Sequence, residues 1–133
     1  MSAGNVELAR KGYEAARRGD LQTVGEMLDP EVTWHGGNPS DAGACHGREQ
    51  ALAFMRRAWS AQPMGELVDV IDAGEKVVLV LRPPSPDGQR AALVANVTTF
   101  RDGKAVEMVH FPEPDDAFAA AGVKRRGDTA ARL

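Results

Sequence analysis

Asn96-Val97-Thr98-Thr99-Phe100-Arg101-Asp102-Gly103-Lys104-Ala105-Val106-Glu107-Met108-Val109-His110-Phe111-Pro112 reads as two apolar strands joined by one Asp-Gly turn. Alternation sets Asn96, Thr98 and Phe100 on one face of the first strand. It sets Met108 and His110 on one face of the second. An asparagine, a threonine and a titratable histidine thus fall among residues that should pack a core. Buried polar groups need partners, and a bound molecule can be one.

Upstream of this hairpin the texture is also that of strands. Residues 67–71 and 77–81 are apolar runs joined by the turn Asp72-Ala73-Gly74-Glu75. Pro83-Pro84-Ser85-Pro86-Asp87-Gly88 cannot sit inside a sheet and reads as a hairpin loop before a strand over residues 91–100. The first sixty residues read differently. Asn5 suits a helix N-cap, and Val6, Ala9, Tyr13 and Ala16 form one apolar stripe that ends at Gly19. Tyr13 is expected in the core with its hydroxyl at the surface. Asp20 suits the cap of a shorter helix through Leu21, Val24, Met27 and Leu28, stopped by Asp29-Pro30. Residues 31–35 read as a short strand, with Val32 and Trp34 on one face and Thr33 and His35 on the other. Residues 36–47 read as a loop. Residues 48–61 read as a third helix with a stripe of Ala51, Phe54, Met55, Ala58 and Trp59. A short helix over 114–121 closes the folded part, and the basic tail 124–133 is expected to be disordered.

Helices first and hairpins afterwards is an α+β pattern: an antiparallel-rich sheet with one face covered by three N-terminal helices. The chain of 133 residues is read as one domain over residues 1–123 plus the tail. Sixteen basic against nineteen acidic residues leave a net charge of -3, which argues against nucleic acid or an acidic membrane surface as partner. The single cysteine, Cys45, forbids an internal disulfide and suits a reducing compartment. With no signal-peptide pattern and no apolar run of spanning length, a cytoplasmic location is expected. The three histidines, His35, His46 and His110, match no metal-binding spacing, so neither metal nor organic cofactor is expected.

Several phrases, in this order, resemble the NTF2-like superfamily in its SnoaL-like and ketosteroid-isomerase-like branch. They are Tyr13-Glu14-Ala15-Ala16-Arg17-Arg18-Gly19-Asp20-Leu21, Leu28-Asp29-Pro30-Glu31-Val32-Thr33-Trp34-His35, His46-Gly47-Arg48-Glu49-Gln50-Ala51, and the closing hairpin with Asp116-Ala117-Phe118-Ala119-Ala120-Ala121-Gly122. The resemblance implies a cone: a curved mixed sheet wrapped around helices, with an apolar pocket at its wide end. That one fold serves isomerases, polyketide cyclases, epoxide hydrolases, dehydratases and proteins that only bind.

Laid on the isomerase pattern of a carboxylate base, a tyrosine and a protonated acid, the base position falls on His35, the acid on Asn96 and the tyrosine on Gly12. His110 falls on the pocket side of the last strand. The resemblance therefore implies His35 and His110 as acid and base, with Asn96 as orienting donor. The reaction would be proton transfer beside a carbonyl or an aldol-type cyclisation. Trp34, Phe54, Met55, Trp59, Thr98 and Met108 would line the substrate site. The expected partner is a small hydrophobic molecule. Two other readings stand beside this one: a binding module without turnover, and a dimeric scaffold whose own side chains fill the cone. Val68, Val70, Val78, Val80, Val97 and Val109 make the strands apolar on both faces, so a homodimer through the sheet's outer face is expected.

Overall fold

In chain order the computed structural model forms α1 (Ser2–Arg17), α2 (Leu21–Met27), β1 (Leu28–His35), β2 (Cys45–His46), α3 (Arg48–Ala61), β3 (Glu66–Ala73), β4 (Lys76–Arg82), β5 (Val94–Arg101), β6 (Lys104–Phe111) and α4 (Pro114–Ala120). The described residues are 2–35, 44–61, 65–83 and 92–123. The tail 124–133 and most of the proline-rich loop lie outside them. The six strands form one sheet in the order β2-β1-β6-β5-β4-β3. From β3 to β6 it is an antiparallel meander, and β1 inserts parallel to β6.

The Asp-Gly hairpin forms where the sequence places it. Arg101 pairs with Lys104, and Asp102 and Gly103 both take positive φ, 54° and 78°. Two positive φ values match the turn to the strands' twist, and glycine adopts one without a Cβ penalty. The register of β5 on β6 shifts between Thr99 and Phe100. Such a bulge reverses the alternation beyond it.

Three boundaries differ from the sequence reading. Asn5 is not an N-cap. The helix starts at Ser2, and the Asn5 amide donates to Gly74 O at 3.0 Å, tying α1 to the turn after β3. β1 begins at Leu28, because the chain becomes extended directly after α2 (Leu28 φ -94°, ψ 136°). Pro30, with no N–H to give, sits in the stretch of β1 where pairing with β6 is irregular. β2 lies within the expected loop; a two-residue strand has no alternation to read. The Asp20 cap is as expected. Its carboxylate accepts the Thr23 hydroxyl at 2.7 Å and the Thr23 N–H at 3.1 Å, which together hold the Asp20 carboxyl below the usual carboxylate range.

The sheet has a core on each face. The inner one joins Val32, Val77 and Phe100 to Ala15, Val24 and Met55 of the helices. The outer one packs Val78, Val80, Ala95 and Val97 beneath Ala117 and Phe118 of α4. This corrects the premise of the expected dimer. Val70 packs with the inner core, and Val78, Val80 and Val97 are covered by the chain's own last helix. Among the described residues Val68 is the one exposed large hydrophobic side chain. No helix among the described residues is long and apolar enough to cross a membrane.

Tyr13 corrects a further expectation, since its hydroxyl is not at the surface. It donates to Gly65 O at 2.7 Å and accepts from Leu67 N–H at 3.1 Å, fastening α1 to the start of β3. A Cβ on Gly65 would stand 2.7 Å from Arg82 O, so the approach of this backbone to the end of β4 needs glycine. Tyr13→Phe should lower stability by about 1–3 kcal/mol, because a part-buried donor and acceptor lose their common partner. Urea unfolding reads this directly, and an unchanged midpoint would show that water replaces the hydroxyl without loss.

Candidate functional site

A cavity of about 320 Å³ lies between the helices and the inner face of the sheet. That is near the lower end of the range for small-molecule sites. β5 contributes Asn96, Thr98 and Phe100, and β6 contributes His110, Met108 and Ala105. The switch from an even to an odd position on β6 is the work of the bulge. Phe100 pairs with Ala105, so Ala105 lines the cavity and Val106 turns to the outer face. The opposite wall comes mainly from α1, where Ala9, Gly12 and Ala16 present little bulk.

The polar groups cluster at one end. Asn96 is the cross-strand partner of His110, which puts their Cβ atoms about 5 Å apart on the same wall. The Thr98 hydroxyl donates to Asn96 Oδ1 at 2.6 Å, and both side chains are buried. That bond occupies a lone pair of the amide oxygen and fixes the orientation of the Asn96 amide on the cavity wall. Burial lowers the His110 pKa from the ordinary 6.5, so its imidazole is neutral at pH 7 and can accept a proton. At the other end, Phe100, Ala105, Met27 and Gly12 form an apolar floor.

Of the residues expected in the site, Trp34, Met55, Asn96, Thr98, Met108 and His110 line this one cavity. Phe54 is not a lining residue. Its ring stacks behind Trp34, with centroids 5.4 Å apart and planes at 51°. Trp59 lies on α3, and its side chain is outside the described residues. His35 is not in the cavity and does not meet His110. It follows Trp34 on β1, and Trp34 faces inward beside Met108, so alternation sends His35 outward. There its Nε2 stands 3.5 Å from Glu107 Oε2, and its buried Nδ1 has no hydrogen-bond partner among the described residues. The sequence reading did not name Gly12, Met27 and Ala105 as pocket lining. The α1 stripe carried a signal for the first, whereas the bulge concealed the last.

A family model for the SnoaL-like domain matches residues 9–108. No curated protein matches the chain. Among solved structures, an NTF2-like protein of unknown function from Burkholderia pseudomallei is 27% identical, with 87% of this chain and 95% of that one covered and a TM-score of 0.65. Bal32a, from a soil-derived mobile gene cassette, is 26% identical over 82% of this chain and 88% of its own, with a TM-score of 0.67. TerC, co-crystallised with polyporic acid, is 22% identical, covers 90% of this chain and 98% of its own, and has a TM-score of 0.65. This last likeness concerns the fold.

A lowered histidine pKa links the site to stability. The unfolded chain binds the proton more tightly than the folded one, so stability is lost as pH falls through 6.5 toward the lowered folded value. Wild type should therefore lose stability relative to His110→Gln between pH 8 and pH 5, as read by urea unfolding at each pH. A difference that does not change with pH would show that burial of His110 leaves its proton affinity unaltered.

Proposed function

The chain belongs to the SnoaL-like domain family, and from that premise we propose that it acts on a small, hydrophobic carbonyl compound by proton transfer, with His110 as acid and base and Asn96 as the oxyanion donor. The observation that carries this reading is the pairing of Asn96 with His110 on the cavity wall, with the asparagine's acceptor already held by Thr98. Neutral His110 takes a proton from the carbon next to the carbonyl. The electron pair moves to oxygen, and the enolate oxygen accepts a hydrogen bond from Asn96 Nδ2. The imidazolium then returns the proton to another carbon, which isomerises the compound. In a cyclisation the enolate carbon instead attacks a second carbonyl, and the imidazolium protonates the alkoxide formed. A donor fixed before the charge develops needs no reorganisation during the step. Thr98, acting through Asn96, is a positioning residue. His35 has no part in this step, because it lies on the opposite face of β1. The open volume argues against a scaffold filled by its own side chains.

β-Tetralone is a suitable probe, being neutral, bicyclic and enolisable. In deuterated buffer the protein should accelerate exchange of its acidic C–H protons, followed by proton NMR. His110→Ala should slow exchange by about a hundredfold or more, the usual size of an acid–base contribution. Asn96→Leu should also slow it, and His35→Ala should match wild type. Binding without accelerated exchange would assign a binding module; exchange indifferent to His110 would overturn the catalytic role.

The dimer is carried forward as a narrower proposal. The outer face that α4 leaves uncovered is polar, around Thr33, Lys76, Thr99, Arg101 and Glu107, with acidic and basic groups side by side. Such a face can complement itself about a two-fold axis. Light scattering should give twice the chain mass, and Arg101→Glu should shift it toward the monomer. A monomeric wild type at micromolar concentration would remove the dimer.

A further inference from the structure

Glycine in the interior of a helix is unfavourable relative to alanine, because it surrenders more backbone freedom on folding. Gly12 lies within the sixteen-residue α1. Other glycines have a steric reason to be there. A Cβ on Gly25 would meet Leu52 Cδ1 at 3.1 Å, and one on Gly65 would strike the Arg82 backbone. Gly12 has no such reason. Its φ is not positive, and a Cβ there would meet only Met27 Cε at 3.5 Å and Sδ at 3.6 Å, ordinary contacts. The absent side chain leaves space instead, because Gly12 and Met27 both line the cavity.

Met27, whose tip Gly12 faces, lies at the end away from the polar groups. Met27 leads directly into Leu28, Leu28 pairs with Ala105, and Ala105 pairs with Phe100. Phe100 stands four residues along β5 from Asn96, about 13 Å at the usual strand rise. No charged side chain is among the described residues lining the cavity. An ionised ligand group would be desolvated there without a counter-charge.

We infer that Gly12 is a specificity-determining residue: it sets how long an apolar body the cavity accepts behind a carbonyl held at Asn96 and His110. The ligand class is an uncharged ketone, elongated along β5, whose far end rests on Gly12 and Met27. This rests on the role proposed above for Asn96 and His110, and the two can fail separately.

The test uses the full chain and linear methyl ketones from hexanone to undecanone, with dissociation constants from amide NMR titrations. In wild type, affinity should rise about fourfold per methylene until the chain reaches the floor. Gly12→Ala should leave hexanone unchanged and cost the longest bound ketone about fourfold, one methylene's worth. Gly12→Val should move the limit to a shorter chain still, and Met27→Ala to a longer one. Gly12→Ala should also raise the urea midpoint, since alanine is the better helix former, which separates lost binding from lost folding. Equal weakening of short and long ketones by the Gly12 variants, or no weakening, would overturn the inference, as would a wild type that binds none of the series. Asn96→Leu should weaken every ketone by one common factor. If it does not, while the Gly12 variants still move the length limit, the carbonyl-end reading fails and the length determinant stands.

Discussion

The register of β5 against β6 is the constraint on which the rest depends. Along β5 the residues alternate between cavity and outer core: Asn96 and Thr98 face inward, while Ala95 and Val97 lie under α4. A slip of one residue would put Val97 into the cavity and Asn96 beneath α4 without a partner. Both faces therefore enforce the same register. The hairpin turn fixes it at one end through two positive φ values, and the bulge at Phe100 adjusts it just inside that turn. The bulge brings small Ala105, not larger Val106, to the floor of the cavity.

What was legible in the sequence is what obeys a period. The meander, the three helices against its inner face and the inward set Asn96, Thr98, Met108 and His110 all follow from alternation and turn chemistry. Alternation also separated Trp34 from His35. Giving both a place in one pocket followed the resemblance where the strand's own geometry forbade it. Ala105 lay beyond reach because a bulge is decided by local pairing, which leaves no mark in a single strand's pattern. The docking of α4 was hidden for another reason. Seven residues with Ala117 and Phe118 on one side could pack on any apolar surface, and only the tertiary fold shows which.

The two histidines show how environment divides one residue type into two roles. His35 is deeply buried, stands beside Glu107 and faces away from the cavity. His110 is desolvated by the cavity wall, and among the described residues no carboxylate lies within ion-pair distance to support its charged form. The same ring is thus biased toward the neutral form that a proton abstraction requires. Position on a strand, through which face it selects, decides the chemistry more than residue identity does.

The roles proposed for Asn96 and His110 couple ligand binding to the stability of the fold. The Thr98 hydroxyl donates to Asn96 Oδ1 and so fixes the amide on the cavity wall. A carbonyl placed against Asn96 as proposed would accept from Nδ2, and its apolar body would cover the floor beside Met27. Occupancy would then stabilise the fold through the same groups that are proposed to act on the ligand. Binding and catalysis thereby call for the same arrangement up to the last step, and they part only at whether His110 finds a proton acidic enough to take.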